Sequence, residues 1–95
     1  MMENVKRVLK QKNASVIDVR SPWEYEEDHV KGSINIPLEE IPARLEEFKK
    51  LNGPIILYCR SGNRSGMAMQ ILKQAGLTDL YNGGGIFDMQ KLILN

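Results

Sequence analysis

Cys59 is the only cysteine in the chain, and it sits in the run LYCRSGNRSG, Leu57 to Gly66. The run begins as the end of an apolar stretch and breaks into a polar turn with an arginine on either side, Arg60 and Arg64. A helix beginning near Asn63 or Arg64 would point its free amides back at the turn. Those amides carry roughly half a positive charge and bind anions. Ser61 and Gly62 let the backbone curl so that successive N–H groups converge into a nest for an anion. A thiol in such a field ionises more readily, and the thiolate is the nucleophile. A lone cysteine is commonly an inert small hydrophobe, but an inert one has no need of Arg-Ser-Gly-Asn-Arg after it. The segment reads as a reactive thiol in a loop that also accepts an oxyanion.

Other groups that could do chemistry are fewer. His29 is the only histidine. It could serve Cys59 as a base, but a lone histidine before a glycine turn is better read as holding backbone groups. Asp18 and Arg20 end an apolar strand; they either line the site or form an ion pair that anchors the loop, and the pair is favoured. Glu24 has a local role available in a capping box, and with Glu26, Glu27 and Asp28 it forms a solvated acidic face. Gly83, Gly84 and Gly85 match no phosphate-binding pattern and read as permitting a close backbone approach near the site. One Cys and one His without paired spacing give no metal site.

The elements that must position these groups follow from periodicity. Val5, Val8 and Leu9 form one stripe of a first helix. Ser15 to Arg20 (SVIDVR) reads as a buried strand. Ser21, Pro22 and Glu24 then supply an N-cap, a first helical residue and a reciprocal cap. Ser33 to Pro37 (SINIP) is a short strand. Leu38, Ile41, Leu45 and Phe48 fall at helical spacing, with Pro42 limiting where that helix begins. Gly53 to Cys59 is apolar on both faces, as a central strand of a parallel sheet should be. Met67, Ala68, Ile71, Leu72 and Ala75 make the apolar face of a helix that Gly76 closes. DLYNGGG reads as a brief strand followed by a flexible turn, and Phe87 to Leu94 as a terminal helix. Alternating strands and helices define an α/β class with a mostly parallel sheet and helices on both faces. Ligands in such sheets sit at the carboxyl ends of strands, where Cys59 lies.

The chain has 95 residues, read as one domain over 1–95, with 42% hydrophobic and 26% charged residues. The net charge of +1 argues against nucleic acid as a partner. No apolar run approaches the ~20 residues of a membrane span. The charged start MMENVKRVLKQKNA has no signal-peptide core, and a single cysteine cannot form an internal disulfide. A reducing, cytoplasmic setting is expected.

The residues resemble the rhodanese-like sulfurtransferases. VIDVRSPWEYEEDHVKGSINIPL is similar to the family's first block, IILYCRSGNRS to its catalytic loop, and LYNGGGIFDM to its closing Gly-Gly segment. The resemblance is nearest to small members of the phage-shock E type. It implies a rhodanese-like three-layer sandwich and a mechanism with no cofactor. Cys59 takes sulfane sulfur from thiosulfate as a persulfide, and cyanide, a thiol or a protein acceptor removes it. The loop carried over is Cys59, Arg60, Ser61, Gly62, Asn63 and Arg64, with Asp18, Arg20 and Glu24 in support. Asp28 stands where many members have glycine, and Asp88 and Met89 replace a common Ala-Trp. Two rivals stand beside this reading. Phosphatases and arsenate reductases of related fold carry a loop one residue longer, whereas four residues separate Cys59 from Arg64. A persulfide carrier or docking module for a protein partner is the other.

Overall fold

The computed structural model describes residues 2–94. In chain order the elements are α1 (Met2–Leu9), β1 (Ser15–Asp18), α2 (Pro22–Glu27), β2 (Ile34–Asn35), a 3-10 helix (Leu38–Arg44), α3 (Leu45–Lys49), β3 (Ile55–Cys59), α4 (Asn63–Gln74), β4 (Leu80–Gly85) and α5 (Ile86–Leu94). The four strands form one sheet in the order β2-β1-β3-β4, and every pairing is parallel. No helix among the described residues is long and apolar enough to cross a membrane.

β3 is interior, and all five of its residues are buried. Its side chains alternate between two cores, as the pleat requires. Ile55, Leu57 and Cys59 join Ile17, Val19, Ile41, Phe48, Ala68 and Leu72 on the face covered by the 3-10 helix, α3 and α4. Ile56 and Tyr58 join Val5, Val8, Val30, Ile86 and Met89 on the face covered by α1 and α5. This is the expected three-layer α/β sandwich. Truncating Ile56 or Leu57 to alanine would cost about 2–5 kcal/mol, so the strand that carries Cys59 is a rigid mount.

Four local expectations are corrected. β1 and β2 are shorter than their apolar runs: β2 lies at the sheet edge, and the two strands pair with each other over only two residues. The helix expected from Leu38 to Phe48 is broken into a 3-10 segment and a short α3, since Pro42 lies inside it and cannot donate a helical hydrogen bond. The glycines of LYNGGG belong to β4 rather than to a flexible turn. Met67 is 57% exposed, because the buried stripe of α4 runs through Ser65, Ala68 and Leu72. Gly76 does close that helix: it adopts φ +92°, and Leu77 N–H returns to the Leu72 carbonyl at 3.0 Å.

Candidate active site

β3 delivers Cys59 to the carboxyl edge of the sheet, and the chain turns at once into α4. Gly62 makes the turn possible. Its φ of +97° is left-handed, a region that a side chain disfavours. In this conformation the Gly62 N–H donates to Cys59 Sγ at 2.9 Å. The Ser65 hydroxyl lies 3.5 Å from the same sulfur. Cys59 is fully buried. Burial is the largest single influence on the thiol and pushes its pKa up. Hydrogen bonds from the Ser65 hydroxyl and from the backbone amides of Ser65, Ser61 and Gly62 together outweigh it, and the net shift is downward. The amide nest expected from Arg-Ser-Gly-Asn-Arg is therefore present around the sulfur.

The two arginines have different surroundings. Arg60 is exposed, and its side chain has no hydrogen-bond or ion-pair partner among the described residues. It lines a cleft of about 300 Å³ with Trp23, Glu27, Asp28, Ile86 and Phe87. Arg64, in the first turn of α4, is bound to Glu24 of α2 by two contacts, Nη1 to Oε1 at 2.7 Å and Nη2 to Oε2 at 3.1 Å. Glu24 Oε1 also accepts the Ser21 N–H at 3.1 Å and the Ser21 hydroxyl at 2.9 Å. The capping carboxylate thus doubles as the brace of the cysteine loop. Its pKa is lowered to about 2, chiefly by Arg64, with burial opposing and Ser21 assisting.

Asp18 and Arg20 form the structural pair. Arg20 Nη2 donates to Asp18 Oδ2 at 2.8 Å, Nε lies 3.1 Å from both oxygens, and the Arg20 N–H donates to Oδ1 at 2.9 Å. The same guanidinium reaches the Asp28 carbonyl at 2.6 Å and so ties β1 to the end of α2. His29 also has a local role: its Nδ1 lies 2.8 Å from the Tyr25 carbonyl, and its ring stacks on Tyr25 with centroids 3.8 Å apart. Ser61 and Asn63 are exposed, and their side chains make no hydrogen bond to the sulfur. Ser61 contributes its backbone amide; Asn63 begins the helix.

Behind the turn stands β4. Its register against β3 slips between Leu57 and Cys59, which face Asn82 and Gly85, so three steps on β4 match two on β3. Gly84 takes φ +77° within this bulge, and a Cβ on Gly85 would collide with the Arg60 carbonyl oxygen. The close backbone approach expected of the glycines is therefore met. Asp88 caps the start of α5 by accepting the Gly85 N–H at 2.9 Å, and Met89 is fully buried beneath the sheet. Two polar neighbours of the loop are not among the residues singled out from sequence, Ser65 and Asn82. Ser65 had a detectable signal, since it falls in helical register with Ala68 and Leu72 and so places a hydroxyl on a buried face. Asn82 had none.

A thiol at the tip of a buried parallel strand, ringed by amides at a helix start, defines a cysteine-centred anion-binding loop. The sequence also matches the Rhodanese-like domain family over residues 1–91. The chain belongs to the rhodanese-like family. It is 42% identical over 74 residues to the thiosulfate sulfurtransferase PspE of Escherichia coli, covering 77% of this chain and 71% of that one. It is 42% identical over 76 residues to the uncharacterized protein YqhL of Bacillus subtilis, covering 80% of this chain but only 60% of YqhL. The putative sulfur carrier protein YrkF of the same organism is 36% identical over 76 residues, and the match spans 40% of YrkF. Among solved structures, a rhodanese with anions from E. coli superposes with a TM-score of 0.72 at 41% identity, over 79% of this chain and 89% of that one.

Proposed function

We propose that this protein is a thiosulfate sulfurtransferase working through a persulfide on Cys59. The observation that carries the reading is the convergence of the Gly62 N–H, at 2.9 Å, and the Ser65 hydroxyl on a thiol whose pKa is held down by the turn. The Cys59 thiolate attacks the outer sulfur of thiosulfate. The sulfur–sulfur bond of the donor breaks, and sulfite leaves with the electron pair. Cyanide or a thiolate then attacks the terminal sulfur of the persulfide and restores the Cys59 thiolate. This is two-step covalent catalysis with ping-pong kinetics. The loop amides stabilise negative charge on sulfur in both steps, and Arg60, without an ion-pair partner among the described residues, supplies a cation where the dianionic donor approaches. A free catalytic thiol favours a reducing compartment, the cytoplasm.

Loop size separates this chemistry from phosphoryl transfer. A sulfane sulfur adds one atom beyond the thiolate, whereas a tetrahedral phosphoryl group brings several oxygens that each need a donor and clearance. A paired assay tests the reading. Thiosulfate-to-cyanide transfer is expected, with parallel double-reciprocal plots and no turnover in Cys59→Ser, alongside negligible aryl phosphate hydrolysis. Efficient phosphatase turnover without sulfur transfer would overturn it. A persulfide carrier serving a protein acceptor is a second reading. It is favoured by Trp23 and Phe87, which stand 64% and 69% exposed beside the cleft, since exposed aromatics with an arginine are typical of protein contact surfaces.

A further inference from the structure

Asn82 pairs with Leu57 at the last regular position before the β4 bulge. Its side-chain Oδ1 accepts the Ser65 hydroxyl at 2.7 Å and the Gly84 N–H at 2.9 Å, and its Nδ2 donates to the Gly62 carbonyl at 3.2 Å. These partners fix the amide's orientation. Flipped, it would set its NH2 against the Gly84 N–H and its oxygen against the Gly62 carbonyl. Asn82 therefore presents an acceptor to Ser65.

Ser65 is fully buried and has one hydroxyl proton between two neighbours, Asn82 Oδ1 and Cys59 Sγ at 3.5 Å. With Cys59 protonated, the S–H donates to Ser65 Oγ and the Ser65 hydroxyl donates to Asn82. When the thiol gives its proton to solvent, the sulfur becomes an acceptor only, and the Ser65 hydroxyl rotates to it. Asn82 Oδ1 still holds the Gly84 N–H, so neither state leaves a buried polar atom without a partner.

We propose that Asn82 is a positioning residue for Cys59, holding the Ser65 hydroxyl within reach of the sulfur so that it accepts from the thiol and donates to the thiolate. The contribution to turnover rests on the sulfurtransferase reading; the contribution to the thiolate does not.

The test is a double-variant cycle on the full chain, using Asn82→Asp, Ser65→Ala and both together. The readout is the apparent pKa of Cys59, followed by thiolate absorbance with the Cys59→Ser protein subtracted. Circular dichroism checks that each variant is folded. Charged groups around the turn remain in every variant and cancel in the cycle: Arg60, Arg64 with Glu24, Arg20 with Asp18, and Asp88 of α5. Asn82→Asp places a carboxylate that holds the Ser65 hydroxyl as its acceptor and also repels the thiolate directly, so the Cys59 pKa should rise by about one unit or more, roughly a tenfold loss of thiolate. Without Ser65 only the direct repulsion remains, and the same substitution should produce a smaller rise. If Asn82→Asp does not fold, Asn82→Ala carries the same cycle, and the shift caused by Ser65→Ala should then fall by at least half. Shifts of equal size with and without the partner would show two independent effects and overturn the proposal. Sulfur transfer by the same wild-type protein is measured separately. Its absence would undo the sulfurtransferase reading and leave the cycle interpretable.

Discussion

Glu24→Gln isolates the charge that braces the cysteine loop. Glutamine has the shape of a protonated glutamate and its oxygen can still cap Ser21, so the substitution removes the charge interaction with Arg64 together with the hydrogen bond from Arg64 Nη2. A carboxyl lowered from 4.5 to about 2 corresponds to at most about 3 kcal/mol of folding free energy, at 1.36 kcal/mol per pH unit. The Glu24 side chain is 11% exposed, but its partner Arg64 is 35% exposed. Solvent screening therefore reduces the expected loss to about 1–2 kcal/mol. For a chain of this size that is a fall in Tm of about 5–15 °C near neutral pH. The pH dependence is more discriminating than the size. The folded-state pKa lies below the unfolded one, so the stabilisation is complete above 4.5 and is lost as pH falls through about 2. Denaturant melts of both proteins from pH 7 downward should show a constant gap near neutrality that closes below about pH 4.5. A gap that is absent at pH 7, or that stays constant down to pH 3, would refute the ionic brace.

Two further outcomes rest on the same geometry. Arg60→Ala should leave stability unchanged and lower kcat/KM for thiosulfate by roughly 10- to 150-fold, the value of one charge-assisted contact; unchanged steady-state kinetics would assign that side chain to solvent alone. Gly85→Ala forces a methyl group into the Arg60 carbonyl and should cost about 1–3 kcal/mol while displacing the loop, so urea midpoint and sulfur transfer should fall together, and an unperturbed midpoint would contradict the close packing of β4 against the turn.

Much of this architecture could be read from residue order because its determinants are local. The apolar run Ile55–Cys59 specifies a doubly covered strand, Ser61-Gly62 a tight curl of the backbone, and Ser21-Pro22-Trp23-Glu24 a capped helix start; all three are observed. Arg64 could be given two partners from sequence, Asp18 or Glu24. Only the folded chain decides between them, because Glu24 lies 40 positions away and Asp18 is already saturated by Arg20. The three consecutive glycines read as a flexible turn because glycine has low intrinsic strand preference. They lie in β4 because the strand pairs with β3 up to Gly85 opposite Cys59, and the Arg60 carbonyl, Met89 and Asp88 leave no room there for a side chain, a tertiary effect with no local trace. Asn82 was invisible for a related reason. Its three partners come from the turn, α4 and the bulge, and the chain brings them together only when β4 pairs with β3.

Whether Cys59 carries the transferred sulfur is the central question, and intact-protein mass spectrometry addresses it directly. After thiosulfate, the wild-type mass should rise by one sulfur atom, and cyanide should return it to its starting value, while Cys59→Ser should show neither change. A wild-type mass that thiosulfate does not alter, or a sulfur adduct that survives in Cys59→Ser, would contradict a persulfide mechanism at this thiol.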